Sequence, residues 1–65
     1  MRLIKLKEVM TLTSLARSTI YKYMSEGQFP KAVLLGVRSV AWIEDEVTDW
    51  ILERINDRDR TGKNT

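Results

Sequence analysis

The chain has 65 residues, of which 43% are hydrophobic, carries a formal net charge of +2, and contains neither cysteine nor histidine. A domain of this size buries only about 60% of the surface of its unfolded chain, so we expect one small domain of modest stability. Without cysteine there are no disulfides or thiolate zinc sites, and without histidine the commonest general base is missing. We therefore expect no enzyme, no cofactor and no bound metal.

Membrane insertion is not expected either. No apolar run approaches the ~20 residues that span a bilayer, and the N-terminal residues lack the apolar core of a signal peptide. These observations predict a soluble, cytoplasmic protein without a membrane partner.

Charge is distributed unevenly along the chain. Residues 1–43 contain seven Lys or Arg and two acidic residues, a balance of +5, whereas residues 44–65 contain four Lys or Arg and seven acidic residues, a balance of −3. A basic body favours a polyanionic partner. Ordinary solvated surface is the alternative interpretation of the same charges.

The predicted elements begin with residues 2–5, a short strand or an extended lead-in. Apolar residues at helical spacing then predict a first helix that ends near Thr11. Residues 12–15 are rich in Ser and Thr, which favour turns. We expect Leu12 and Leu15 to point inward from this turn.

A second helix is predicted from Ala16 or Arg17 to Glu26. Its buried stripe contains Ile20 and Met24, with Tyr21 at the edge of the stripe, and its outward residues are Ser18, Thr19, Lys22 and Ser25. Gly27 suits the left-handed position that ends a helix. Two short helices joined by a brief turn predict a helix-turn-helix. A small helical core without a DNA-binding role has the same spacing.

A β-hairpin and a third helix complete the pattern. The β-prone residues 32–35 and 40–43 flank a turn in which Gly36 is expected at positive φ and Arg38 near the tip, with Trp42 pointing into the core. The third helix begins after Ile43 and ends near Asn56, and its apolar face contains Val47, Trp50, Ile51 and Ile55. Residues 57–65 are expected to form a disordered polar tail.

The predicted fold is therefore α+β, a small winged helix-turn-helix with three helices and a two-stranded β-hairpin wing over residues 1–56. A recognition helix contacts the major groove through its N-terminal residues. Candidate DNA-binding residues are cationic or hydroxyl-bearing: Arg17, Ser18, Thr19, Tyr21, Lys22, Lys31, Arg38 and Ser39. Lys5, Lys7 and Lys31 would add phosphate contacts, and Arg38 would touch the backbone or the minor groove. An exposed solubilising arginine is the alternative for Arg38.

Three motifs carry a resemblance: Arg17-Ser18-Thr19-Ile20-Tyr21, then Phe29-Pro30-Lys31, then the run 35–42 (LGVRSVAW) followed by Glu46-Val47 and Trp50. Together they make residues 3–55 resemble the AlpA family of small phage-encoded transcriptional regulators. The resemblance implies a MerR-like winged helix similar to phage excisionases. One departure is Ala16, where the family usually has the helix-capping Ser.

Residues and resemblance together predict a sequence-specific DNA-binding regulator of prophage or genomic-island genes, such as an integrase gene, associated with the nucleoid. Its partner would be double-stranded DNA, with a free monomer that stacks head to tail on DNA. One alternative is an architectural excisionase that bends attachment-site DNA. A second alternative is a protein-binding inhibitor of a regulator.

Overall fold

The computed structural model of the chain describes residues 1–61. It contains three helices and a three-stranded antiparallel sheet of order β1-β3-β2, which confirms the α+β class and is compatible with a winged helix-turn-helix. The elements are β1 (Leu3–Ile4), α1 (Leu6–Thr13), α2 (Arg17–Ser25), β2 (Val33–Gly36), β3 (Ser39–Ile43) and α3 (Glu44–Thr61). The sheet is thus wider than the predicted two-stranded wing, because the N-terminal residues add a strand.

β3 is the central strand of this sheet. Ile4 of β1 pairs with Trp42 on one side, and Leu34 of β2 pairs with Val40 on the other. Directly opposed residues share a face of a sheet, and side chains alternate along a strand, so all four belong to the same face. This face meets α1 and α3, both of which pack against β3.

The core forms where the sheet face meets the helices. Trp42 is fully buried, as predicted, and its buried neighbours are Ile4, Val9, Ile20, Phe29 and Val47. Two expectations are wrong: Leu12 is 42% exposed and Ile55 is 39% exposed. Ile55 follows the helical period of the apolar face, but it lies too far along α3 for the small core to cover it.

The turn between α1 and α2 is shorter than predicted. α1 continues past Thr11 to Thr13, whose hydroxyl donates to the carbonyl of Val9 (2.8 Å) and accepts from the amide of Leu15 (3.2 Å). Ser14 then reverses the chain in the left-handed conformation (φ 61°), and its amide donates to the Met10 carbonyl. Only three residues, 14–16, separate the helices. Leu15 packs against the core, as expected.

Glycine behaves differently at the two predicted turns. Gly27 has φ 73°, which confirms its place as the left-handed residue after α2. Gly36 was expected at positive φ, and this is wrong, since Gly27 is the only such glycine among residues 1–61. Instead, an irregularity in the β2–β3 register between Leu34 and Gly36 accommodates the reversal.

The C-terminal helix is longer than predicted. α3 continues beyond Asn56 to Thr61, so the expected end is wrong. Arg54 pairs with Asp57 across one turn (3.0 Å), and Arg60 pairs with the same carboxylate, a spacing that supports an exposed helix. The expectation of a disordered tail is not met over residues 57–61, and its remainder, residues 62–65, lies outside the described residues.

The N-terminus is tied to both flanking helices. Arg2 donates to Glu8 of α1 (2.8 Å) and to Glu44 of α3 (2.6 Å), while its carbonyl accepts from the Glu44 amide. The hydrogen bond to Glu8 and the charge of Glu44 raise the pKa of Arg2 above its ordinary value. The exposed pair therefore stays charged at every ordinary pH and keeps β1 in register with β3.

Trp50 packs against the segment that follows α2. Its indole N–H donates to the Gln28 carbonyl (2.7 Å), and its ring meets Phe29 edge-on with 4.9 Å between centroids. Tyr23 lies 6.2 Å from it. The side chain is half-buried, whereas a buried anchor was expected. Trp50 thus fixes the end of α2 to α3.

The two tryptophans should differ in their importance for stability. We expect Trp42→Ala to lower the free energy of unfolding by about 3–5 kcal/mol, as much as a core of this size supplies, and largely to unfold the domain. Trp50→Ala should cost less because its ring is half-exposed. Urea denaturation followed by far-UV circular dichroism compares them, with Trp42→Phe as the control that keeps an aromatic ring. Equal losses at Trp42 and Trp50 would contradict this view of the core.

The N-cap of α2 offers a second stability test. Ala16 is exposed, has an extended backbone (φ −72°, ψ 156°) and makes no side-chain cap. A serine there should accept a hydrogen bond from the first turn and add about 1 kcal/mol of stability. Thermal melts of Ala16→Ser and of Ala16→Val, which has no hydroxyl, separate capping from side-chain size. Identical midpoints for the two variants would argue against a missing cap.

Candidate DNA interface

One side of α2 is free of the core. Successive residues of an α-helix turn by about 100°, so the buried side marked by Ile20 and Met24 leaves another side in solvent. Four of the predicted DNA-binding residues are exposed there: Arg17, Ser18, Tyr21 and Lys22. We call these four residues the exposed side of α2.

Thr19 does not belong to the exposed side of α2. It was predicted to face outward, but it is half-buried. The helical rotation places it about 100° beyond Ser18, in the direction of Tyr23, which packs against the core. The sequence pattern missed this because a polar residue beside a buried stripe has no apolar signal of its own.

Arg17 and Tyr21 are in contact on the surface. The guanidinium carbon lies 6.0 Å from the centroid of the Tyr21 ring, within the range of a cation–π interaction. Tyr21 remains 41% exposed. This contact, one helical turn apart, holds a planar bidentate donor beside a phenolic hydroxyl at the N-terminal end of α2.

Lys22 and Arg38 are the unengaged cations among the predicted residues. Both side chains are exposed, and neither forms a hydrogen bond or an ion pair with any of residues 1–61. Lys22 lies on α2, and Arg38 lies in the turn between β2 and β3, which together with those strands we call the wing. An anion that approaches either charge meets no competing carboxylate.

Ser39 is joined to the N-terminal segment. The Nζ atom of Lys5 donates to its hydroxyl oxygen over 2.9 Å. Because β1 runs antiparallel to β3, the chain that leaves Ile4 travels towards the Ser39 end of the central strand. The structure thus brings Lys5 to the wing, a pairing that the local sequence pattern did not indicate.

Lys31 lies elsewhere. It lines an open groove of about 970 Å³ between the end of α2 and α3. Tyr23, Phe29 and Trp50 form the aromatic part of this groove, and its acidic residues are Glu46, Asp49 and Glu53. Lys31 is therefore associated with the Tyr23 side of α2 and not with its exposed side.

α1 connects these parts. It packs against α2, against α3 and against β3 of the wing. The exposed side of α2 and the wing are consequently held by one small rigid framework instead of by a flexible linker. Among residues 1–61, no helix is both long enough and apolar enough to cross a membrane.

Comparison with known proteins agrees with this architecture. The model of the family described as prophage CP4-57 regulatory protein (AlpA) matches residues 2–55. The ORF88 protein of Enterobacteria phage P4 is 48% identical over 59 residues, which cover 91% of this chain and 67% of that protein. The DNA-binding transcriptional activator AlpA of Escherichia coli (strain K12) is 39% identical over 59 residues, which cover 82% of this chain and 84% of the activator.

The family match extends from the N-terminal strand β1 into α3, and so includes both the exposed side of α2 and the wing. The level of identity to two phage-related proteins is well above that of chance likeness. The chain belongs to the AlpA family of prophage regulatory proteins.

Proposed function

We propose that this protein is a sequence-specific DNA-binding regulator of transcription that acts on prophage or genomic-island genes, such as an integrase gene. The observation that carries the proposal is the exposed side of α2, where two cations and two hydroxyls stand free of the core on the second helix of a helix-turn-helix. The similar E. coli protein is named a DNA-binding transcriptional activator. The protein works in the cytoplasm at the nucleoid, without catalysis, cofactor or metal.

α2 is the element that enters the major groove. That groove is about 12 Å wide and admits an α-helix, and each base pair presents a distinct set of donors and acceptors there. Arg17 and Lys22 donate to guanine or phosphate, and Ser18 reaches phosphate or base edges. Tyr21 holds Arg17 and offers its own hydroxyl. Thr19, being half-buried, contributes at most at the edge of this contact.

Phosphate contacts come from the wing and the N-terminal segment. Arg38 reaches the backbone from the turn, and Lys5 stands beside it through its bond to Ser39. Lys7 is exposed on α1, and Lys31 lies at the margin of the groove. Such contacts fix the register of a protein on DNA but carry no sequence information.

The helix and the wing should fail in different ways. Lys22→Ala should erode discrimination between the preferred and a scrambled duplex, because one lost base contact is worth ~1–3 kcal/mol. Arg38→Ala should weaken both duplexes alike and reduce the slope of log affinity against log salt by about one. Fluorescence anisotropy titrations at several salt concentrations measure both effects, on a duplex recovered by selection from random DNA.

Arg54→Ala is the control for these titrations, since it removes the same charge from α3, where the guanidinium lies over Trp50. It should change neither discrimination nor slope. A sequence-independent defect in Lys22→Ala together with altered preference in Arg38→Ala would reverse the two roles. No measurable affinity for any DNA would favour the inhibitor alternative, and cooperative binding to repeats beside an attachment site would favour the excisionase alternative.

Copies of the protein stack head to tail on DNA in this proposal and are monomeric in its absence. The support is electrostatic, since the basic body faces one way and α3 carries exposed Asp45, Asp49 and Glu53. A contact between two different surfaces does not close into a ring, so it can continue along a duplex. Screening by salt keeps it weak until DNA aligns the copies.

Neutralising part of this acidic surface should reduce cooperativity. Asp49→Asn combined with Glu53→Gln should lower the cooperativity of binding to two adjacent sites and leave affinity for one site unchanged or raised. Glu44 is unsuitable because it pairs with Arg2. Footprinting on one-site and two-site duplexes gives the comparison, with Asp59→Asn at the far end of α3 as the control. Unaltered cooperativity in the double variant would refute stacking through α3.

A further inference from the structure

The tip of the wing exposes apolar side chains. Val37, the first residue of the turn, is fully exposed, Leu34 is 78% exposed and Leu35 is 50% exposed. Single exposed apolar residues are ordinary on protein surfaces. Three of them within residues 34–37 form a contiguous patch at one protruding end, and such patches mark binding surfaces.

The patch continues the face that elsewhere forms the core. Leu34 pairs with Val40, and Val40 is half-buried on the same face of β3 as Trp42. The wing therefore extends past the helices that cover β3, and Leu34 and the turn lie beyond their reach. The exposed apolar surface is a consequence of how far the hairpin projects.

Cations flank this apolar tip. Residues 30–43 include Lys31 and Arg38 and no acidic residue. Arg38 is adjacent to Val37 in the turn, and Lys5 is bonded to Ser39 immediately after it. An apolar projection between positive charges suits a partner with a narrow cleft and anionic walls.

The DNA minor groove is such a cleft. It is about 6 Å wide, too narrow for an α-helix of 10–12 Å diameter, but a two-residue turn fits. Apolar side chains that enter it insert between base pairs and partly unstack them. The patch lies on the same rigid framework as α2, so it is continuous with the DNA-binding surface.

We infer that Val37 enters the minor groove next to the site contacted by α2 and wedges one base step apart, while Arg38 binds the adjoining phosphate. Unstacking costs least at the flexible pyrimidine–purine steps TA and CA/TG. The wing therefore selects such a step in the flank of the site without a hydrogen bond to any base. This inference rests on the proposed function and adds a second source of sequence preference to it.

Selection from random duplexes tests the wedge. The wild type and Val37→Leu should enrich a central motif together with a pyrimidine–purine step in one flank. Val37→Ser should keep the central motif and lose the flanking step. The substitution leaves the fold intact because Val37 packs against nothing in residues 1–61. Leu52→Ser, at a half-exposed leucine of α3, is the matched control and should enrich the same sequences as the wild type.

Energy transfer between dyes at the two ends of the selected duplex gives a second readout. Wild type should bend the duplex, and Val37→Ser should return the transfer most of the way to that of free DNA. Its affinity should fall by no more than about tenfold, because the lost contacts are offset by the stacking that is retained.

An unchanged flanking step in the Val37→Ser selection would overturn the wedge, as would equal bending by both proteins. A free wild-type protein that sediments as an oligomer dissociated by Val37→Ser would also overturn it and assign the patch to a protein interface. In each of these cases an enriched central motif still upholds the proposed function. The proposed function itself fails only if the wild type enriches no motif at all.

Discussion

Burial of the central strand β3 is the constraint on which the rest of the structure depends. Ala41 and Trp42 are almost completely inaccessible, although the chain is only 65 residues long. Covering them requires β1 and β2 at the two edges and α1 and α3 on the face. Neither helix is long enough to be stable alone if detached from this surface, since short helices draw their stability from packing.

The same constraint determines which surfaces stay free. α1 is committed on three sides, to α2, α3 and β3, so α2 is held from one direction only. The other side of α2 therefore remains in solvent with its polar and cationic residues. The hairpin projects past the helices because a core this small covers only part of each strand. A protein that binds DNA through a helix and a wing follows from a core too small to enclose either one.

The aromatic contacts around Trp50 organise the opposite end of α2. The bond from its indole to the Gln28 carbonyl fixes the segment after Gly27, and Phe29 is buried beside it. This leaves an aromatic groove with acidic residues on α3. The molecule consequently carries cations near α2 and the wing and carboxylates along α3. That separation orients the protein towards an anionic partner.

Much of the fold could be predicted from sequence because it is encoded locally. Helical spacing around Ile20 and Met24 gave α2, Gly27 marked its end, and the β-prone runs around residues 36–39 gave the hairpin. Residues 2–5 left a strand and an extended lead-in undecided, since a two-residue strand exists only when a neighbour pairs with it. The family motifs extended the local signals to a prediction of DNA binding.

The candidate site was predictable in part for the same reason. Arg17, Ser18, Tyr21 and Lys22 follow from helical rotation, which a sequence determines by itself. The position of Thr19, the bond between Lys5 and Ser39, and the place of Lys31 in the groove depend on neighbours distant in sequence. No local pattern carries that information.

The sequence by itself determined which segments form helices and strands, which residues could bind an anion, and which family the chain resembles. Only the tertiary structure decided where the core stops. It left Leu12, Ile55 and Val37 in solvent despite their apolar character, and it joined Trp50 to the end of α2 instead of to the wing. The physical reason is that periodicity fixes the direction of a side chain from its own backbone, whereas burial depends on which other element arrives to cover it.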